Sequence, residues 1–130
     1  MRILGFMCIL GLHFVCLISF VVSAKGQDYF YKTTPERAKV IHLVASIREI
    51  NADQRYFDKN HLKMVIYIDK IPTEKDNNYR VIVGQDQGWR VENRYYFVVN
   101  ARTFSIKYWA VIEDKEISLS LWRKHHYKDW

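Results

Sequence analysis

The chain has 130 residues, of which 49% are hydrophobic and 26% charged, and its net charge is +6 at pH 7. This length allows one small domain and excludes a second one once an export segment is set aside. The moderate positive charge favours acidic partners or anionic surfaces, and an ordinary solvated exterior explains it equally well.

The first element in chain order is an apolar run over residues 3–24 that ends in Val22-Ser23-Ala24. A basic start, a hydrophobic stretch and small residues before a cut after Ala24 are typical of a secretory signal peptide. We therefore expect a signal peptide at residues 1–24 and a periplasmic or secreted domain after it. The alternative is an uncleaved membrane anchor, because about 20 apolar residues are long enough to span a bilayer.

Both cysteines, Cys8 and Cys16, lie inside this apolar run. The exported domain is therefore expected to fold without disulfides, and it lacks a thiol nucleophile and a cysteine-based zinc site. Removal of residues 1–24 takes away one basic residue, Arg2, and no acid, so the net charge falls from +6 to +5.

A helix is predicted after a flexible tether at residues 25–32. Thr33-Thr34-Pro35-Glu36 supplies a hydroxyl N-cap, a first-turn proline and an acid near the positive end of the helix dipole. Apolar residues then recur at spacings of three and four between Val40 and Ile50, which predicts an amphipathic helix of about four turns. Residues 52–60 are interpreted as a frayed continuation or a short second helical turn.

Four β-strands are predicted next. They cover residues 62–68, 79–83, 89–99 and 104–111, which are rich in β-branched and aromatic side chains and are separated by turn sequences. In the third strand, alternation places Trp89, Tyr95 and Phe97 in the core. Tyr96 and Trp109 are expected to be substantially exposed on the opposite face, where neighbouring strands bring them together.

Ser118 is a candidate N-cap for a short helix at residues 119–126, with Leu119, Leu121 and Trp122 docked inward. The order of elements predicts one α+β domain at residues 33–130. Its expected architecture is an N-terminal helix packed on a four-stranded antiparallel meander sheet, with a short C-terminal helix.

The third and fourth strands resemble the end of PepSY-type domains. Trp89-Arg-Val is followed by an aromatic strand and by Asn100-Ala-Arg-Thr103-Phe104, at the place where that family has an Asp-x-x-Thr-Gly turn. Cystatin-like folds share the arrangement of a helix against a meander, and the order of elements agrees over about residues 34–111. The resemblance implies a non-catalytic module that binds or restrains another protein, often a peptidase, at the bacterial cell envelope.

The residues capable of chemistry form no recognisable catalytic pattern. The sequence lacks a Gly-x-Ser-x-Gly elbow, and most acids outside the helices fall in predicted turns rather than in a pair across a cleft. The adjacent His125 and His126 project differently from a helix, so they do not predict a metal site. We expect no enzyme activity, no cofactor and no metal, and a small hydrolase is a distant third interpretation.

Two binding functions are left open. The first is an envelope binding or inhibitory module that holds its partner with an exposed edge strand or with the outer sheet face, where the candidate binding residues are Arg90, Arg94, Tyr96, Lys107 and Trp109. The second is an immunity protein that neutralises an exported toxin on an NTF2-like or cystatin-like scaffold. Nucleic-acid binding is not expected for an exported chain of low charge, and membrane contact is expected only through an uncleaved residue 1–24 segment.

Overall fold

The computed structural model describes residues 33–126. The elements in chain order are α1 (Pro35–Ala45), α2 (Arg48–Lys59), β1 (Lys63–Lys70), β2 (Asn78–Asp86), β3 (Val91–Asn100), β4 (Ile106–Ala110), β5 (Lys115–Ser118) and α3 (Leu119–His126). The strands form one antiparallel sheet in chain order. The α+β class is therefore confirmed, with five strands in place of the four expected. The predicted signal peptide and tether lie outside the described residues.

The predicted N-terminal helix is two helices. Arg37 N–H donates to the Thr34 hydroxyl over 3.3 Å, which confirms the expected N-cap. The backbone of Ile47 is extended, with ψ of 129°, and this breaks the helix between α1 and α2. The two helices bury different apolar residues, Val40 and Val44 in α1 and Ile50 and Phe57 in α2.

Residues 52–60 were expected to be a frayed continuation or a short second helical turn, and they belong instead to the regular helix α2, which continues through Lys59. Two contacts explain this difference. Phe57 is 1% exposed and anchors the last turns of α2 in the protein interior. The Tyr95 hydroxyl donates to Asp53 over 2.7 Å, which joins α2 to the sheet. Among the described helices, none is long and apolar enough to cross a membrane.

All three helices contribute to one core on one face of the sheet. Val40, Ile50 and Trp122 belong to the same cluster of buried side chains as Val81 and Phe97 of the central strands. We call this the helix face, and we call the opposite side the outer face. A helix layer against one face of an antiparallel sheet is the two-layer arrangement that the sequence predicts.

A β-bulge in β3 changes which residues reach the core. Val83 lies opposite Tyr95 and Gly84 lies opposite Asn93, so Arg94 is an extra residue in β3. Val91 therefore packs with the outer-face cluster of Val65, Tyr67 and Ile82. The prediction that Trp89 lies in the core is wrong, because its side chain is 78% exposed, whereas burial of Tyr95 and Phe97 is confirmed.

The helix α3 is docked by its tryptophan. The Trp122 ring stacks on Tyr108 with centroids 5.1 Å apart and meets Phe97 edge-on at 5.5 Å. Leu121 N–H donates to the Ser118 hydroxyl over 3.1 Å, as expected for the N-cap. The expectation that Leu121 docks inward is wrong, since its side chain is 42% exposed.

Candidate functional site

Two of the five predicted binding residues meet as expected. The rings of Tyr96 and Trp109 are perpendicular, with centroids 5.9 Å apart, and both residues are half-buried rather than substantially exposed. The Arg80 guanidinium lies 3.8 Å from the Trp109 ring centroid, and Trp109 Nε1 donates to Asp114 over 3.2 Å. These contacts explain the partial burial of an aromatic pair that lies on an outer face.

Two of the other three predicted binding residues, Arg90 and Arg94, do not extend that pair into one surface. The Arg90 guanidinium lies 4.5 Å from the ring centroid of its neighbour Trp89, in the turn before β3. The bulge turns Arg94 toward α2, where its guanidinium lies 5.2 Å from the Phe57 ring centroid. Lys107 lies two residues before Trp109 on β4 and shares the outer face with it, where it is exposed and pairs with Glu116 over 3.3 Å. A five-residue outer-face site is therefore not assembled.

A cleft lies where β4 leaves β3. The ladder between them covers only the three pairs from Phe97–Tyr108 to Val99–Ile106, whereas β4 pairs with β5 as far as Ala110. The β4–β5 hairpin and α3 then enclose a cleft of about 530 Å³. This volume falls within the range of about 300 to 1,000 Å³ that is usual for ligand-binding clefts.

The inside of the cleft is mainly apolar. Three aromatic residues contribute to its lining, namely Tyr96, Tyr108 and Trp122, and Ala110 and Ile117 add aliphatic surface. Burial raises the pKa of the Tyr108 hydroxyl, and the nearby Tyr96 and Glu113 raise that pKa further. Tyr108 therefore stays neutral at physiological pH, and its ring can serve as an uncharged surface for an apolar group.

The turn that joins β4 to β5 carries aliphatic side chains into solvent. We call residues 111–114 the hairpin tip. Ile112 is 97% exposed and Val111 is 44% exposed, and both contribute to the cleft lining together with Leu121 of α3. The hairpin tip can form because Asp114 takes a left-handed conformation with φ of 48°. Exposed aliphatic groups are thus concentrated at the mouth of the cleft.

The wall formed by α3 is held by a buried ion pair. Arg123 donates twice to the Glu49 carboxylate, over 2.8 and 3.2 Å, and Arg48 donates to the same group over 3.0 Å. Burial raises the pKa of Glu49, but the hydrogen bonds from the two arginines outweigh it and lower the pKa from 4.5 to about 2. Glu49 therefore stays ionised, and it ties α3 to α2.

No group of three or more histidine, cysteine, aspartate and glutamate residues within residues 33–126 is placed to hold a metal ion. The ionisable residues of the cleft lining are Glu113, Lys115 and His125, and the lining also includes the exposed aliphatic residues Ile112 and Leu121. This arrangement provides an apolar binding surface with charges at its border.

Sequence reasoning missed the cleft because it missed β5. The strand has four residues, Lys115–Ser118, and Ile117 is the only apolar one. A signal was nevertheless present, since the apolar pair Val111-Ile112 directly precedes the turn residues Glu113-Asp114. Residues in turns are usually exposed to solvent, so adjacent aliphatic residues in a turn are a signal of an interaction surface.

No protein-family model, curated protein or solved structure matches this chain. Its function has to be inferred from the cleft and from the surfaces around it.

Proposed function

We propose that this protein is an exported, non-catalytic module that binds another protein at the bacterial cell envelope, and that the hairpin tip and the cleft form its contact surface. The observation that carries the proposal is the 97% exposure of Ile112 at the mouth of a cleft of about 530 Å³. Exposed apolar side chains that cluster around a concave site are typical of protein-interaction surfaces. This placement replaces the outer-face site expected from the sequence.

The turn after β3 supports a PepSY-like or cystatin-like relationship. Asn100 Oδ1 accepts from Arg102 N–H and from Thr103 N–H, each over 3.0 Å, which is a role that the aspartate of an Asp-x-x-Thr-Gly turn can also fill. Phe104 has φ of 57°, a conformation that glycine adopts without strain. The two departures from the motif are therefore compatible with one turn geometry.

Export is proposed on the apolar run at residues 3–24 and on the small residues that end it. Cleavage after Ala24 would release the domain into the periplasm or the medium. An uncleaved run would leave the same domain attached outside the cytoplasmic membrane. The proposed binding role is the same in both cases.

Affinity capture tests this proposal. An epitope tag inserted at Glu74 lies in the exposed loop between β1 and β2, so it leaves α3 and the β4–β5 hairpin unaltered. The tagged full-length protein is expressed in the producing cells, and proteins that co-purify with it from the envelope are identified by mass spectrometry. We compare the wild type with Ile112→Ser. The matched control is Leu62→Ser, which also replaces an exposed aliphatic residue.

We expect one specific protein to co-purify with the wild type and with Leu62→Ser, and to be lost with Ile112→Ser. If that protein is a peptidase, the domain is an inhibitory module. If it is a toxin, the domain is an immunity protein. Equal recovery with all three forms would move the contact surface away from the hairpin tip. Recovery of no specific protein with the wild type would contradict the binding role itself.

A further inference from the structure

The charge of the hairpin tip differs from that of the rest of the domain. Residues 33–126 contain more lysine and arginine than aspartate and glutamate, yet residues 113–116 are Glu-Asp-Lys-Glu. Glu116 pairs with Lys107, whereas Glu113 and Asp114 form no ion pair within residues 33–126. The hairpin tip therefore carries two carboxylates that pair with no lysine or arginine within residues 33–126. Asp114 accepts a hydrogen bond from Trp109 Nε1, and Lys115 follows it directly in the chain.

From this juxtaposition we infer that the cleft binds a large apolar side chain of a partner protein, and that Lys or Arg next to that side chain in the partner lies against Glu113 and Asp114. The inference rests on the proposed function and specifies the chemistry of the partner. It reverses the expectation from net charge, because the surface around the cleft calls for a basic partner segment and not an acidic one.

The apolar half of this recognition comes from the cleft. The half-buried Tyr108 ring stacks on the buried Trp122, and the adjoining Ala110 is the smallest side chain in the lining, so space is left beside the Tyr108 ring. Ile112 and Leu121 lie at the mouth, where they can contact an inserted side chain. A central apolar anchor surrounded by polar groups is the usual anatomy of an interaction hot spot.

Two other occupants fit these observations less well. An anionic membrane surface would accept Ile112, but it would repel Glu113 and Asp114, which follow directly in the chain. Strand addition to β3 would need a regular edge at the cleft, and the bulge at Arg94 interrupts that edge. A partner segment with an apolar anchor and a neighbouring Lys or Arg fits both the cleft and the carboxylates of the hairpin tip.

The test begins with random 12-residue peptides displayed on phage and selected on the full-length protein. We expect the enriched sequences to share an aromatic or large aliphatic residue next to Lys or Arg. The binding of one enriched synthetic peptide is then measured by fluorescence anisotropy against three variants. Ala110→Trp fills the cleft, Glu113→Gln removes one carboxylate, and Ala52→Trp repeats the large substitution at an exposed position of α2.

We expect Ala110→Trp to raise the dissociation constant of the peptide about tenfold or more, as substitutions at an interaction hot spot do. Glu113→Gln should weaken it about threefold and reduce the dependence of the dissociation constant on salt. Ala52→Trp should leave binding unchanged. Circular dichroism verifies that each variant is folded. If Ala110→Trp is unfolded, the surface substitution Glu113→Gln decides the test.

Enrichment of acidic peptides, or of none, would overturn the inference, as would peptide binding that is insensitive to both Ala110→Trp and Glu113→Gln. Binding to vesicles of phosphatidylglycerol and phosphatidylcholine that Ile112→Ser abolishes would overturn it in favour of a membrane contact. Any of these results leaves the proposed binding role standing if the Glu74-tagged protein still recovers a specific partner. Failure of that recovery counts against the proposed function itself.

Discussion

Replacement of Glu49 by glutamine is expected to destabilise the domain in a pH-dependent way. The folded protein lowers the pKa of Glu49 from 4.5 to about 2. At about 1.4 kcal/mol per pKa unit, this shift corresponds to as much as about 3 kcal/mol of stability. Because the folded-state pKa is the lower one, the stabilisation is complete above pH 4.5 and disappears as the pH falls toward 2.

The assay is urea unfolding followed by tryptophan fluorescence, since Trp122 is buried next to the ion pair. Wild type and Glu49→Gln are compared at pH 7, 4.5, 3 and 2. We expect the difference in free energy of unfolding to be about 3 kcal/mol at pH 7 and to approach zero at pH 2. The matched control is Glu74→Gln at an exposed loop position, which should change stability by less than about 0.5 kcal/mol throughout.

Parallel pH profiles for wild type and Glu49→Gln would refute this reasoning, because they would mean that the Glu49 carboxylate has the same pKa in the folded and unfolded chains. The constant difference in free energy of unfolding that parallel profiles give would point to packing rather than to the charge of Glu49. The expected result would show that α3, and with it one wall of the cleft, is held in place by the ion pair.

Three further substitutions have outcomes that the same urea titration measures. Trp122→Ala should lower the free energy of unfolding by about 3 to 5 kcal/mol, because it empties the aromatic core under α3. A loss below about 0.5 kcal/mol would mean that α3 is not docked. Asn100→Ala should cost about 1 to 2 kcal/mol by removing the acceptor of two turn N–H groups, whereas Asn100→Asp keeps that acceptor and should cost less; equal losses would contradict the role given to the side chain. Gly84→Ala should cost about 1 to 3 kcal/mol, because a Cβ there would lie 2.7 Å from the backbone oxygen of Glu92; no loss would mean that the bulge adjusts freely.

The class of fold was accessible from the sequence because local signals agreed with tertiary packing. Thr34 and Ser118 cap the helices that their positions predict, and α3 has the predicted bounds. The core placement of Tyr95 and Phe97 followed from alternation along β3. These features depend on residues close in the chain, so a pattern of a few residues is enough to define them.

The errors have a common origin in pairing between strands, which the composition of one strand does not predict. A bulge in β3 opposite Gly84 places Val91 on the outer face, and β3 begins only at Val91, so Trp89 lies in the preceding turn and not in the core. Likewise, β5 is defined by its pairing with β4 and not by its own composition. The candidate site followed these errors, because the outer-face set assumed unbroken alternation and the cleft needs the fifth strand.

The most direct test of the central claim is photo-crosslinking at the hairpin tip in the producing cells. A photoreactive phenylalanine analogue is placed at Ile112, or at Leu62, just before β1, as the control for an exposed aliphatic site. We expect the probe at Ile112 to give one discrete crosslinked protein, with Lys or Arg beside the attached residue, and the probe at Leu62 to give none. No crosslinked protein at Ile112, or the same protein from both positions, would contradict a partner seated at the hairpin tip and cleft.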